Sequence, residues 1–300
     1  MDDKMDFGIF PYNMNSMARA VKKRSSGAIK FDVSEISLDK LTKYAITLGY
    51  NLFELNVGVE YMYPGTCDKY VIKELKILKE ENKLRYTVHL PFLGLDLTSI
   101  NNHSRKAAVN CQVEMINLTK SLEPENYVLH SSGGIAPLFL NAGKRFGIKN
   151  HSLNELTEAA KSSVAEILDK TKIPSKSIAI ENINYPFEST LEVIEENNCS
   201  FCVDTGHFLA GYSGKCELLE IIKEYLPNIA EIHLHDCYIG ENSNKPIDHQ
   251  ALGTGLLDPI FIELLQNIPF SKPIMLEMTL EQVKKSEIWL EKNYPSIKIK

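Results

Sequence analysis

Short runs of apolar, β-branched and aromatic residues recur along the chain, each followed by a longer stretch whose apolar positions repeat every three or four residues. The runs are Asp6 to Phe10, Asn51 to Val57, Arg85 to Leu90, Tyr127 to His130, Ser177 to Asn182, Ser200 to Asp204, Ala230 to His235 and Pro273 to Met278, which predicts eight strands. The stretches between them, such as Leu38 to Leu48, Lys69 to Lys83, Ser104 to Ser121, Leu153 to Lys170 and Lys215 to Tyr225, predict amphipathic helices. Alternation of this kind implies parallel strands joined by crossover helices. Runs such as VLH and IAIEN are apolar on consecutive residues, as strands buried on both faces are.

An open doubly wound sheet would share that signature. The count of eight favours a closed barrel, and so does FGIFPYNMN, which has one glycine where a phosphate-binding loop would need several. The expected fold is an α/β (β/α)8 TIM barrel. The even spacing of the strands, with no Pro, Gly or Ser-rich linker, makes residues 1–300 one domain.

In such a barrel, polar residues at the C-terminal tips of the strands face the mouth where chemistry is done. The tips here read Val88-His89-Leu90-Pro91, Leu129-His130-Ser131, Ile180-Glu181-Asn182, Val203-Asp204-Thr205-Gly206-His207, His233-Leu234-His235-Asp236 and Leu276-Glu277-Met278. A lone histidine at a strand end is more often a hydrogen-bonded core residue than a ligand. A lone glutamate closing an apolar run is different, because an unpaired buried carboxylate is costly. Glu181 and Glu277 therefore call for a shared cation, and imidazole with carboxylate suits Zn, Mn, Co or Fe. His233 and His235 should share a face, with His235 further toward solvent. The loop from Cys237 to Gly255 carries Asp248-His249 and Gly253-Thr254-Gly255, whose glycines would allow close backbone approach to a ligand.

Composition narrows the partners. The formal charge of −6 and pI near 5.8 disfavour duplex DNA, which selects basic surfaces. The local exception is Met17 to Lys30, where Arg19, Lys22, Lys23, Arg24 and Lys30 cluster without acids. That cluster reads equally as a solvated loop or as an anion-binding rim. No apolar run reaches the roughly 18 residues of a membrane span, and the N-terminus lacks a signal pattern. The six cysteines show no paired spacing. A soluble cytoplasmic protein is the expectation.

FCVDTGHFLAGY, with its D-x-x-H followed by A-G-Y, and HLHD followed by H-x-x-x-G-x-G at His249 to Gly255, resemble the superfamily that joins endonuclease IV (AP endonuclease family 2) with xylose-isomerase-like isomerases and epimerases. The resemblance runs from about Phe7 to Glu277. It implies a metal site of Glu181, Asp204, His233 and Glu277, with His207 present in both branches. His89, His130 and His249 match further ligands of the endonuclease-like branch. One departure is that Asp248 adjoins His249, rather than preceding it by two residues. Adjacent side chains diverge in extended backbone, so two ions per chain, Zn or Mn, are expected rather than three. His235 and Asp248, together with Arg19, Lys22, Lys23 and Arg24, are left to face the substrate.

Two ions sharing Glu181 imply hydrolysis of a phosphodiester. The acidic pI argues for a small anionic substrate. His89-Leu90-Pro91-Phe92 with Asp96-Leu97 also resembles the cobamide-remodelling phosphodiesterases, which cut the nucleotide loop of a corrinoid. The rival enzyme is a sugar isomerase or epimerase, in which Glu181 and Glu277 exchange a carbon-bound proton beside one metal. A non-catalytic barrel that binds a sugar or corrinoid around a structural metal is the third reading.

Overall fold

The structure is a computed structural model that describes all residues except 1–4, 11–20, 24, 25, 28, 146, 148, 242 and 269. Its barrel strands are β1 (Asp6–Ile9), β4 (Leu52–Asn56), β5 (Arg85–His89), β6 (Tyr127–Leu129), β7 (Ile178–Glu181), β8 (Ser200–Asp204), β9 (Ile229–His233) and β12 (Pro273–Leu276). They pair in parallel, each with its neighbour in the sequence of barrel strands, and β12 closes on β1. The eight predicted strands and their closure are thus observed.

Helices pack on the outer faces of the strands. The helix Lys69–Asn82 shows why they form: the Asp68 side chain accepts from the Tyr70 and Val71 amides, and Lys83 ends the helix in the left-handed region at φ 54°. Its inner stripe of Val71, Ile72, Leu75 and Leu78 is buried. The outward-facing Tyr86 of β5 donates its hydroxyl to the Leu75 carbonyl at 3.0 Å. The last helix, Leu280–Asn293, begins with a capping box made by Thr279 and Gln282.

Side chains alternate along each strand, so residues two apart share a face. The tip residues therefore form an upper layer inside the barrel, and the residues two positions earlier form a lower one. Val128, Ala179 and Cys202 of that lower layer pack together, apart from the main strand-to-helix core. Glu54, Thr87 and Glu231 belong to the same layer and are fully buried.

Two further pairs of strands lie outside the barrel. β2 (Val21–Lys23) and β3 (Ile29–Phe31) form an antiparallel hairpin within the basic stretch, where the sequence suggests a loop. Arg19, Arg24 and the side chains of Lys22 and Lys23 lie outside the described residues. β10 (Asp236–Ile239) and β11 (Pro246–Gln250) form a second hairpin in place of the expected loop, and it carries Asp248 and His249. Among the described residues, no helix is long and apolar enough to cross a membrane.

Candidate metal centre

Glu181 ends β7 and lies between two groups of side chains. Its Oε2 is 2.9 Å from His130 Nε2 and 3.4 Å from His89 Nε2. Its Oε1 faces the other way, 3.8 Å from His233 Nδ1 and 3.2 Å from His207 Nδ1. His89 hydrogen-bonds the Leu90 carbonyl through Nδ1 at 2.9 Å, which puts a proton on Nδ1 and leaves Nε2 free to ligate. His89, His130 and Glu181 thus form one compact set of potential ligands.

The second set is Glu181, Asp204, His233 and Glu277. His233 Nδ1 is 2.8 Å from Glu277 Oε2 and 3.8 Å from Asp204 Oδ2. Despite the short distance, neither His233 Nδ1 nor Glu277 Oε2 has a hydrogen-bond partner among the described residues. Buried polar atoms that approach closely without bonding each other are what converging metal ligands look like before an ion joins them. The donor set fits a divalent transition ion.

Electrostatics point the same way. Burial alone would raise the Glu181 carboxyl, but His130 and His233 outweigh it and hold it well below the usual carboxylate range. Burial likewise opposes ionisation of Glu277, and His233 overrides it. Burial lowers His89 and His207, yet hydrogen bonding to Glu181 and the charge of Glu54 lift His89 to about 9, while Asp204 and Glu181 lift His207 to about 9. Without a cation, protons on His89, His207 and His233 balance the carboxylates, whereas burial lowers His130 and favours its neutral form.

His207, Asp248 and His249 form a third set. The expected divergence of Asp248 and His249 assumed extended backbone. His249 instead sits at φ 53°, in the left-handed region, and this turns both side chains toward His207. His207 Nε2 is 3.8 Å from Asp248 Oδ2, and Nδ1 is 2.9 Å from the Asn182 carbonyl, which fixes that ring. The geometric argument against a third ion therefore fails.

His235 is the clearest departure. The sequence places it nearer solvent and facing substrate, but it is fully buried. Its Nε2 donates to Asp204 Oδ2 at 2.9 Å, its Nδ1 accepts the His249 amide at 2.9 Å, and its ring stacks on His249 at 4.3 Å. His235 also lies within ligand reach of Asp204, His249 and Glu277, but here both nitrogens are engaged, by Asp204 and by the His249 amide. Gly206 makes room for it, since a Cβ there would lie 2.1 Å from the His235 ring. Gly253 and Gly255 are structural too. A Cβ on Gly255 would lie 2.1 Å from the Cys237 carbonyl oxygen, and the Thr254, Gly255 and Leu257 amides all donate to the buried Asp236 carboxylate.

Residues 43–293 match the family described as xylose isomerase-like TIM barrel. The chain belongs to that family. The uncharacterised protein MJ1311 of Methanocaldococcus jannaschii is 26% identical over 222 residues, 70% of this chain and 67% of that protein. A D-tagatose 3-epimerase-like protein superposes with a TM-score of 0.67 at 23% identity, covering 96% of both chains. Endonuclease IV from Thermus thermophilus superposes at 0.57 and 17% identity, covering 85% of this chain and 94% of its own.

Within this xylose isomerase-like barrel, two charged residues beneath the centre were not singled out from the sequence. Glu54 Oε2 lies 3.2 Å from His233 Nε2, and Glu231 Oε1 lies 3.7 Å from the same nitrogen while accepting from Thr87 at 3.1 Å. Burial, then the charge of Glu54, raises Glu231 to about 7. The signal was present: Glu231 stands two residues before His233, and Glu54 interrupts the apolar run LFELN, so strand periodicity puts both on the inner face.

Proposed function

We propose that this barrel is a divalent-metal-dependent phosphodiesterase acting on a small anionic substrate rather than on duplex DNA. The observation that carries the reading is the split of Glu181, one oxygen toward His89 and His130 and the other toward His233. A carboxylate so placed can bridge two ions. A single-metal centre would leave His89 and His130 without a metal to bind, as hydrogen-bonding neighbours of Glu181 and the Leu90 carbonyl.

When bound, a pair of divalent ions supplies a nucleophilic water at neutral pH and positive charge for the phosphoryl oxygens. The chain's own groups do the rest. Glu181 ties the two ligand sets together, and Glu277 with Asp204 and His233 completes the second. His235 holds Asp204 in place. Asn182 fixes His207 by accepting from its Nδ1, so that His207 Nε2, Asp248 and His249 are available at the outer edge. The nucleotide loop of a cobamide stands first among small phosphodiesters, on the His89 to Leu97 segment. Zn or Mn suits the donors, and two ions is the minimum that the bridging carboxylate requires.

A sugar isomerase or epimerase is the second reading. It is favoured by the completeness of Glu181, Asp204, His233 and Glu277 as a four-ligand set without either further histidine.

Elemental analysis of protein purified without chelator separates the two readings, together with turnover of a generic phosphodiester and of ketoses. At least two ions per chain, falling in His89→Ala and His130→Ala, with hydrolysis of the diester, is the expected result. One ion per chain, unaltered in both variants, would sink the phosphodiesterase reading.

A further inference from the structure

Beside His130 and His207 opens a cavity of about 490 Å³ with an unusual wall. Phe92, Leu93, Pro137, Leu138, Ile183 and Tyr212 supply its apolar side, and Ser132 and Asn184 line it as well. Among the described residues that line it there is no lysine, arginine, aspartate or glutamate. Its volume falls within the roughly 300–1,000 Å³ of small-molecule sites. Leu93 and Leu138 are 61% and 68% exposed, so two large apolar side chains stand in water at the entrance to a charged centre. Exposed apolar surface beside such a centre is surface that a bound ligand can cover. Phe92 extends the apolar wall to the ligands themselves, its ring 4.7 Å from that of His130 and 5.2 Å from that of His89.

We propose that this cavity is a subsite for an apolar part of the phosphodiester substrate, an aromatic ring fitting it best. The inference rests on the phosphodiesterase reading above. A phosphorus held between the His89–His130 set and the His233 set has His130 and His207 beside it, and both line the cavity. One of its two ester groups is thereby directed at Phe92 and Leu138. The polar side chains of the lining, Ser132, Asn184, Tyr212 and the two histidines, can meet a few hydroxyls, but those of a polyhydroxylated sugar that faced Phe92, Leu93, Leu138 and Ile183 would lose water without gaining partners. The polar remainder of a larger substrate has room beyond. An adjoining cavity of about 410 Å³ shares Pro137, Asn184 and Tyr212 with the first, and is lined further on by Asn141, Glu188 and Lys215.

The probes are phenylphosphonate and methylphosphonate, each carrying a single organic group on the same anion and neither open to hydrolysis. Their binding to metal-loaded protein is measured by calorimetry, in the wild type and in a Leu93→Asn/Leu138→Asn variant whose changes lie at exposed positions. The wild type should bind the phenyl compound about tenfold more tightly, and the variant should bring the ratio toward one. Equal affinity for the two compounds in the wild type overturns the subsite and leaves the phosphodiesterase reading standing. Failure of both to bind the loaded protein overturns the two together. An aryl preference that survives intact in the variant also overturns the proposal, since the preference then arises elsewhere.

Discussion

The two nitrogens of His233 face different groups, and these surroundings would decide which one a metal takes. Nδ1 faces Glu277, Asp204 and Glu181, whereas Nε2 faces Glu54 and Glu231. Carboxylates behind a ligating histidine keep its proton on the far nitrogen and commit the near one to the metal. Glu54→Gln is therefore expected to weaken metal affinity by about 10- to 100-fold. Chelator competition measures this, and unchanged affinity in a folded variant would remove Glu54 from the centre. Acidity at single residues also fixes a pH window. His89 and His207 are raised in the fold from 6.5 to about 9, so their contribution to stability is full below 6.5 and disappears as pH rises through about 9. Glu181 and Glu277 are depressed, and theirs disappears on acidification below the ordinary carboxylate range. Metal-free protein should melt at progressively lower temperature between pH 6.5 and 9, and added zinc should flatten that slope. A melting temperature independent of pH across that interval would contradict the assignment.

At the scale of elements, the hairpin β10–β11 and the turn after it hang on one carboxylate, Asp236, which accepts from four backbone amides including that of Cys237. Gly255→Ala would drive a Cβ into the Cys237 carbonyl, where backbone rather than a flexible side chain must yield. That variant should lose the His207, Asp248 and His249 set while keeping the sets built on β7, which appears as a drop of one in bound ions for a protein that loads all three. An unchanged ion count would show that the segment tolerates the shift. The same region marks what could be read in advance. The eight strands and the convergence of histidines and carboxylates at their tips were legible because burial on both faces and a carboxylate closing an apolar run leave local signals. The buried position of His235 was not, because it follows from Gly206 on a neighbouring strand's turn, a contact distant in sequence. The hairpin escaped because PIDHQ has no apolar alternation. The left-handed His249 is not legible because that backbone state, although enriched for histidine, is uncommon in any single non-glycine residue. Glu54 and Glu231 lie one layer below the strand tips, where the two-residue period puts them on the inner face but no motif marks them.

For the molecule as a whole, the barrel has one open end for its chemistry and a filled interior below it, where Val128, Ala179, Cys202, Glu54, Thr87 and Glu231 leave no exposed surface. The three ligand sets accordingly differ in depth. Side chains of the His207 set are 13% to 40% exposed and those around His130 up to 16%, whereas His233 and Asp204 are at 0% and Glu277 at 14%. Depth in a one-mouthed vessel sets residence time. Ions should leave in a fixed sequence under a chelator, the outermost first and the one held by His233 last, and reloading should run in reverse. Time-resolved chelation followed by elemental analysis would reveal that order as separate phases, and simultaneous loss of all ions in a single phase would refute it. A protein emptied from the top would then pass through a state holding only its deepest ion, so its history of exposure to metal would become a variable of its activity.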